Sequence, residues 1–245
     1  MYLSYHVFCD IFILLKNKEQ ILDNAIWATY FDLDTSNRED FLEWTKEKYF
    51  LILKDLIKPK WIGMYKSIHP GKRFEKILNR LHKDNDAERA SGSDYILLLG
   101  AETTRSFYDP SPRVIYENLE NEDKQMLDKR ENVKDVILTE EWRINGPESS
   151  KREVGTVPSR LIQMGRYDAR ENDDDLQEWY AQERMLGVSK TPGCIGARKM
   201  IVTNGSPRHS VIYEFLSFES REENYVELEE TEWTKHVHSY LLHPP

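Results

Sequence analysis

Residues 35–44 read TSNREDFLEW, and residues 170–179 read RENDDDLQEW. Asp40 and Asp175, Phe41 and Leu176, Glu43 and Glu178, and Trp44 and Trp179 match at one fixed offset. Further along, PKWIGMYK (59–66) and PGCIGARK (192–199) share the pattern P-x-x-I-G-x-x-K. Two separate matches in the same order define an internal repeat, and self-similarity of this kind decides the architecture before any single motif does.

Working outward, each copy reads as the same series of elements. AIWATYFDL (25–33) and SRLIQMGRY (159–167) are rich in strand formers. A polar cap follows, Ser36 or Asn37 in the first copy and Asn172 in the second, and then acidic residues in the first helical turn. Negative charge there complements the helix dipole, which accounts for the Asp173, Asp174 and Asp175 run without a metal. Leu42, Tyr49, Leu53 and Leu56 recur at helical spacing, as do Leu176, Trp179, Tyr180 and Glu183. Strands are expected next at 61–68 and 194–203, then at 95–101 and 211–218, and a final strand at 136–144 or 235–242. The order strand–helix–strand–strand–helix–strand is the ferredoxin-like one. The expected fold class is therefore α+β: two tandem ferredoxin-like βαββαβ units with antiparallel sheets. The boundaries are an N-terminal arm at 1–23, a first repeat at 24–145, a linker at 146–158 and a second repeat at 159–245. The first copy carries an extra amphipathic stretch, with Phe74, Ile77, Leu78 and Leu81 spaced for a helix, and a polar loop after it.

The chain has 245 residues, 31% charged and 39% hydrophobic, as expected of a protein with a real core. A net charge of -9 argues against nucleic acid, since nothing would neutralise backbone phosphates. Cys9 and Cys194 are too few for a disulfide framework, which suits a reducing, cytoplasmic setting. The opening MYLSYHVFCDIFILLKNK is apolar, but Asp10 breaks the run and no small-residue cleavage site follows. It reads as a packing arm or an extra strand, too short to enter a membrane.

The second half resembles EthD-like proteins of the dimeric α+β barrel superfamily. The residues that carry the resemblance are DLQEWYAQER (175–184), VSKTPGCIGARK (188–199), the stretch 211–217 and EWTK (232–235). Family members tend to show W-Y-x-x-E-H on the first helix, and here Trp179, Tyr180 and Glu183 match while Arg184 replaces the His. The resemblance implies work on a small hydrophobic substrate without a cofactor, as in fungal secondary-metabolism proteins. It implies decarboxylation, isomerisation or cyclisation, including pericyclic ring formation, with cofactor-free oxygenation as the alternative and a non-catalytic binding protein as a third reading. Members of that superfamily pair two sheets into a barrel, so the resemblance implies that this tandem chain pairs the antiparallel sheets of its two ferredoxin-like units into a single-chain α+β barrel, as a monomer or a homodimer.

Lining residues in such a fold would come from the first two strands and the first helix of each copy. In the first copy these are Tyr30, Asp32, Tyr65 and His69, and in the second Arg166, Tyr180, Glu183, Arg184, Arg198 and Tyr213. Asp32, His69, Tyr180 and Arg184 are the candidate catalytic groups; the other six would bind substrate. Tyr30 and Asp32 lie two apart on a strand and share a face, where a buried carboxylate could take a proton from carbon. Asp32 could equally face water at the strand end, His69 sits beside a turn, and Arg184 could grip a substrate oxygen or simply form an ion pair. His236 and His238 would share one strand face, but two His alone supply no convergent metal set, so no metal is assigned. Gly-rich phosphate loops, G-x-S-x-G and C-x-x-C are all missing. Because the pocket candidates differ between the copies, one active site per chain is expected.

Overall fold

A computed structural model describes residues 5–15, 23–69, 71–73, 77, 92, 94–152 and 158–242, the first stretch in backbone only. The expected amphipathic helix around Phe74, Leu78 and Leu81 lies outside the described residues, as do residues 153–157 of the linker.

Eight antiparallel strands close into a barrel: β1 (Tyr5–Leu15), β2 (Ala25–Leu33), β3 (Trp61–Ile68), β4 (Tyr95–Ala101), β5 (Arg130–Asn145), β6 (Leu161–Tyr167), β7 (Cys194–Asn204) and β8 (His209–Phe215). Their order around the barrel is β1-β3-β4-β2-β5-β7-β8-β6, with β6 returning to β1. Closure leaves no open sheet edge among the described strands. The four strands of residues 25–145 run in the order β5-β2-β4-β3, and the other four run β1-β6-β8-β7, so the two sets have one pattern. They join along two seams, β5 to β7 and β1 to β3.

The N-terminal arm is thus a barrel strand, which settles the choice between packing arm and extra strand. The expected final strand at 235–242 is instead the helix Glu232–Tyr240. Thr231 caps that helix, its hydroxyl accepting from the Thr234 N–H at 3.1 Å. Trp233, Val237, Tyr240 and Leu241 recur at helical spacing, with Val237 fully buried, and this signal outweighs the short strand-like run. The place beside β6 is taken by β1, which pairs Tyr5 with Gly165 through Cys9 with Leu161.

Strand alternation sends one set of side chains into the barrel and the other toward the helices. Ile26, Ala28, Tyr30, Trp61, Tyr65, Ile96, Leu98, Val136, Leu138, Ile162, Met164, Met200 and Ile212 fill the interior. Trp61 sits opposite Gly100, whose hydrogen side makes room for the indole: a methyl there would fall 2.1 Å from the ring. Near the start of β2 the interior ends in an ion cluster. Arg198 binds Asp23 at 2.9 Å and Glu140 at 2.7 Å, and Arg143 binds the same two acids.

Outside the barrel lie two helical layers. On the first half these are α1 (Arg38–Trp44), a π-helical turn (Thr45–Tyr49), α2 (Phe50–Ile57), α3 (Pro112–Asn118) and α4 (Asn121–Leu127). On the second they are α5 (Asp173–Trp179), a π-helical turn (Tyr180–Arg184), α6 (Met185–Val188), α7 (Phe218–Asn224) and α8 (Glu232–Tyr240). Lys58 ends α2 in the left-handed region (φ 55°), and Pro59 prevents any continuation. Both π-helical turns begin immediately after the repeated tryptophans, Trp44 and Trp179. Among the described residues, no helix is long and apolar enough to cross a membrane.

Candidate active site

Each π-helical turn swings the residue five positions after its tryptophan toward the sheet, and these two residues give the halves opposite characters. In the first half that residue is Tyr49. Its ring stacks on Trp44 with centroids 5.0 Å apart and planes 14° from parallel. Trp44 is itself fixed to α4, its indole N–H donating to Asp123 at 3.1 Å while Lys48 binds the same carboxylate at 2.8 Å.

Beside Tyr49 a cleft of about 540 Å³ opens between sheet and helices. Buried Trp27 and Ile137 line its floor, Leu127, Arg130 and Pro112 line it further out, and the exposed Asp135, Tyr108, Arg113 and Tyr116 stand toward its opening. That volume lies within the range of small-molecule sites, roughly 300–1,000 Å³. Asp135 is its organised polar group. One carboxylate oxygen, Oδ1, accepts from the Trp27 indole N–H at 2.9 Å and from the Thr29 hydroxyl at 2.5 Å. Oδ2 accepts no hydrogen bond from any described residue. Burial pushes the Tyr49 hydroxyl up to about 12, with Arg130 opposing and Asp135 reinforcing the shift, so the phenol keeps its proton near neutrality.

In the second half the corresponding residue is Arg184, and the space is filled with side chains. Arg184 is 1% exposed; its Nε donates to the Tyr213 hydroxyl at 3.2 Å, and its Nη atoms reach the Leu228 carbonyl, the Tyr225 hydroxyl and Glu229. Its guanidinium also lies over the rings of Trp179, Tyr213 and Tyr225. Burial works to raise the Glu229 carboxyl, yet Arg184 and His238 hold it below its ordinary value. Tyr180 meets the Tyr167 hydroxyl and carries Lys199 over its ring at 5.3 Å. Lys199 in turn binds Glu141 at 2.7 Å and the His209 Nδ1 at 3.1 Å, and His209 reaches Asp173 at 2.9 Å.

The residues singled out by sequence therefore separate into three groups. Tyr180, Glu183, Arg184 and Tyr213 come together between sheet and helices. Glu183 there accepts from Trp179 at 3.3 Å and from the hydroxyls of Thr231 at 2.6 Å and Thr234 at 3.3 Å. Tyr30, Tyr65, Arg166 and Arg198 belong to the barrel interior instead. Tyr30 donates to the Met164 sulfur at 3.2 Å beneath the Arg166 guanidinium, 3.9 Å from its ring centre, and Tyr65 donates to the Pro158 carbonyl at 3.4 Å. Asp32 and His69 lie with neither group. Asp32 anchors the segment before β4, accepting from the Gly92 N–H at 2.6 Å, the Asp94 N–H at 3.0 Å and the Asn132 amide at 2.9 Å. His69 is exposed, its Nδ1 accepting from the Gly71 N–H at 3.1 Å.

Of the cleft residues, Trp27 escaped sequence reading because both faces of β2 are buried, whereas Arg130 and Asp135 lie on the part of β5 that precedes the strand expected at 136–144. Hydrophobic alternation on β2 gives no sign of which face meets the helices, and Tyr30 lies on the face that fills the barrel interior. His236 and His238 do not share a strand face either; α8 turns His236 outward toward Asp175 and His238 inward toward Glu229. Among the described residues no group of three or more His, Cys, Asp or Glu could hold a metal ion.

No protein-family model and no curated protein sequence matches the chain. Among solved structures, one neighbour is a Fusobacterium nucleatum protein provisionally assigned as a monooxygenase. It is 8% identical over 91% of this chain and 89% of its own, with a TM-score of 0.50. The likeness is one of fold. A Lactobacillus acidophilus protein, also provisionally assigned as a monooxygenase, is 10% identical over 88% of this chain and 86% of its own, with a TM-score of 0.41.

Proposed function

We propose that the chain is a small-molecule enzyme of the α+β barrel type, working through the first-half cleft on an enolisable hydrophobic substrate. The observation that carries this reading is the carboxylate of Asp135. One oxygen is held by Trp27 and Thr29, and the other is open to a ligand in an aromatic-walled space. A carboxylate so fixed is oriented to take a proton from carbon next to a carbonyl, the electron pair moving onto the carbonyl oxygen. Isomerisation, elimination or ring closure can follow from the resulting enolate, consistent with a cofactor-independent lyase, isomerase or cyclase of natural-product biosynthesis.

The two four-strand sets fit two tandem ferredoxin-like units, the second completed by β1 and akin to EthD-like proteins of fungal pathways. In this reading the second unit's helix layer is a packed support, and the first unit does the chemistry. A cofactor-free monooxygenase is the second reading, favoured by the assignment of the Fusobacterium nucleatum neighbour.

Product formation from β-dicarbonyl and anthrone-like substrates, followed with and without air, separates the readings. Turnover that persists without oxygen and falls about 10²–10⁴-fold in Asp135→Asn supports proton abstraction by this cleft. Stoichiometric oxygen uptake supports the monooxygenase, and full activity in Asp135→Asn removes the cleft from the chemistry.

A further inference from the structure

We infer that the ligand of the first-half cleft bears an acidic oxygen, a carboxylate or an enol, on an aromatic frame, and that Arg130 and Tyr49 are the two donors that receive it. This rests on the reading of the cleft as the substrate site, and it names the chemical class that the site selects.

Two unspent donors carry the inference. Tyr49 is 4% exposed, yet its hydroxyl makes no hydrogen bond to any described residue. Tyr49 lines the cleft with this donor unused, so a ligand oxygen there would gain a hydrogen bond without displacing one inside the protein. Arg130 spends only Nε, on the Leu127 carbonyl at 3.0 Å, and its guanidinium lies 5.8 Å from the Phe31 ring centre. No described carboxylate pairs with it. The contrast with Arg143, Arg152, Arg184 and Arg198 is direct, since each of those is bound to Asp or Glu. A guanidinium whose Nη atoms remain open beside a ligand-sized space is suited to two-point binding of a carboxylate or an enolate oxygen.

The arrangement also has polarity. Asp135 repels an anion from its own side of the cleft, so the acidic oxygen settles at the Arg130 side and the substrate's C–H faces Asp135 Oδ2. Trp27, Tyr108 and Pro112 supply flat or apolar surface for an aromatic frame between them.

The test is a titration of the full chain with 1-naphthoate and with its neutral counterpart 1-naphthylmethanol, by calorimetry. Naphthoate is expected to bind at least tenfold more tightly. Arg130→Met should erase that preference and Arg130→Lys should restore part of it. Tyr49→Phe should weaken naphthoate severalfold, and Asp135→Asn should hold it as well as or better than the parent. Ile137→Trp, which fills the floor, should block both compounds. Equal affinities in the parent chain, or a preference that survives Arg130→Met, would overturn the inference. If Ile137→Trp still blocks the neutral compound in that case, the cleft stands as a ligand site and only the acidic-oxygen assignment falls. If neither compound binds, or both bind unaffected by Ile137→Trp, the cleft reading falls with it. Circular dichroism of each variant separates lost affinity from lost fold.

Discussion

Arg184 and Glu229 form an ion pair in which each side chain is 1% exposed, at the position where the first half has Tyr49 and an open cleft. Removing one member of such a pair leaves a buried, uncompensated charge, so Arg184→Met should cost about 3–5 kcal/mol in urea unfolding. Arg184→Met combined with Glu229→Gln should recover a good part of that loss. Turnover per folded molecule should hardly change. A large fall in rate with stability intact would return the chemistry to the second half.

Trp27 and Thr29 hold Asp135 by one oxygen, so their loss should affect the reaction more than binding. A hydrogen bond to a charged group is worth about 1.5–3 kcal/mol, which sets the expected fall in kcat for Trp27→Phe at roughly tenfold or more. KM should move much less, because the ligand's other contacts remain. The opposite split, with KM raised and kcat kept, would mark Trp27 as a wall rather than a positioning residue.

Asp32 receives three hydrogen bonds, two of them from backbone N–H groups ahead of β4. Asp32→Ala should therefore destabilise the fold by about 1–3 kcal/mol, with faster exchange of the amides of Gly92 and Asp94. The reaction rate should stay at the parent level. Activity lost without any change in exchange would show that Asp32 serves the chemistry.

His209 is buried among Asp173, Lys199 and Glu141 and stacks on Tyr167, while Arg208 pairs with Asp173 from the solvent side. Burial holds its imidazole below the ordinary value, Lys199 adds to this, and Asp173 and Glu141 oppose it. The unfolded chain therefore binds a proton that the native state refuses, and stability declines as pH falls below about 6.5. Above that pH the residue adds no slope. His209→Gln should flatten the decline between pH 7 and 5 in urea midpoints, whereas an unchanged slope would assign it to other groups.

Much of the architecture was legible because it rests on local signals. The two D-x-x-E-W stretches start helices, P-x-x-I-G-x-x-K leads into strands, and β-rich runs such as YILLLGA give β4. The segment 235–242 was misread because a helix packed by one face over two turns and a short half-buried strand carry similar numbers of apolar residues. Capping by Thr231 and the register of Trp233 with Val237 decide for the helix.

The sequence by itself determined many of the local elements: where the helices bearing Trp44 and Trp179 start, that 25–33, 61–68 and 95–101 become strands, and that the two halves differ in their pocket side chains. Only the tertiary structure decided that β1 completes the second strand set and that the barrel closes through two seams. It also decided that a cleft opens beside Tyr49 while Arg184 is packed among side chains. Tyr49 and Arg184 stand at the same step past a repeated tryptophan, but whether that step lies open depends on Tyr225 and Glu229, more than forty residues further along. Burial and pairing are set by such distant partners, and no local spacing encodes them.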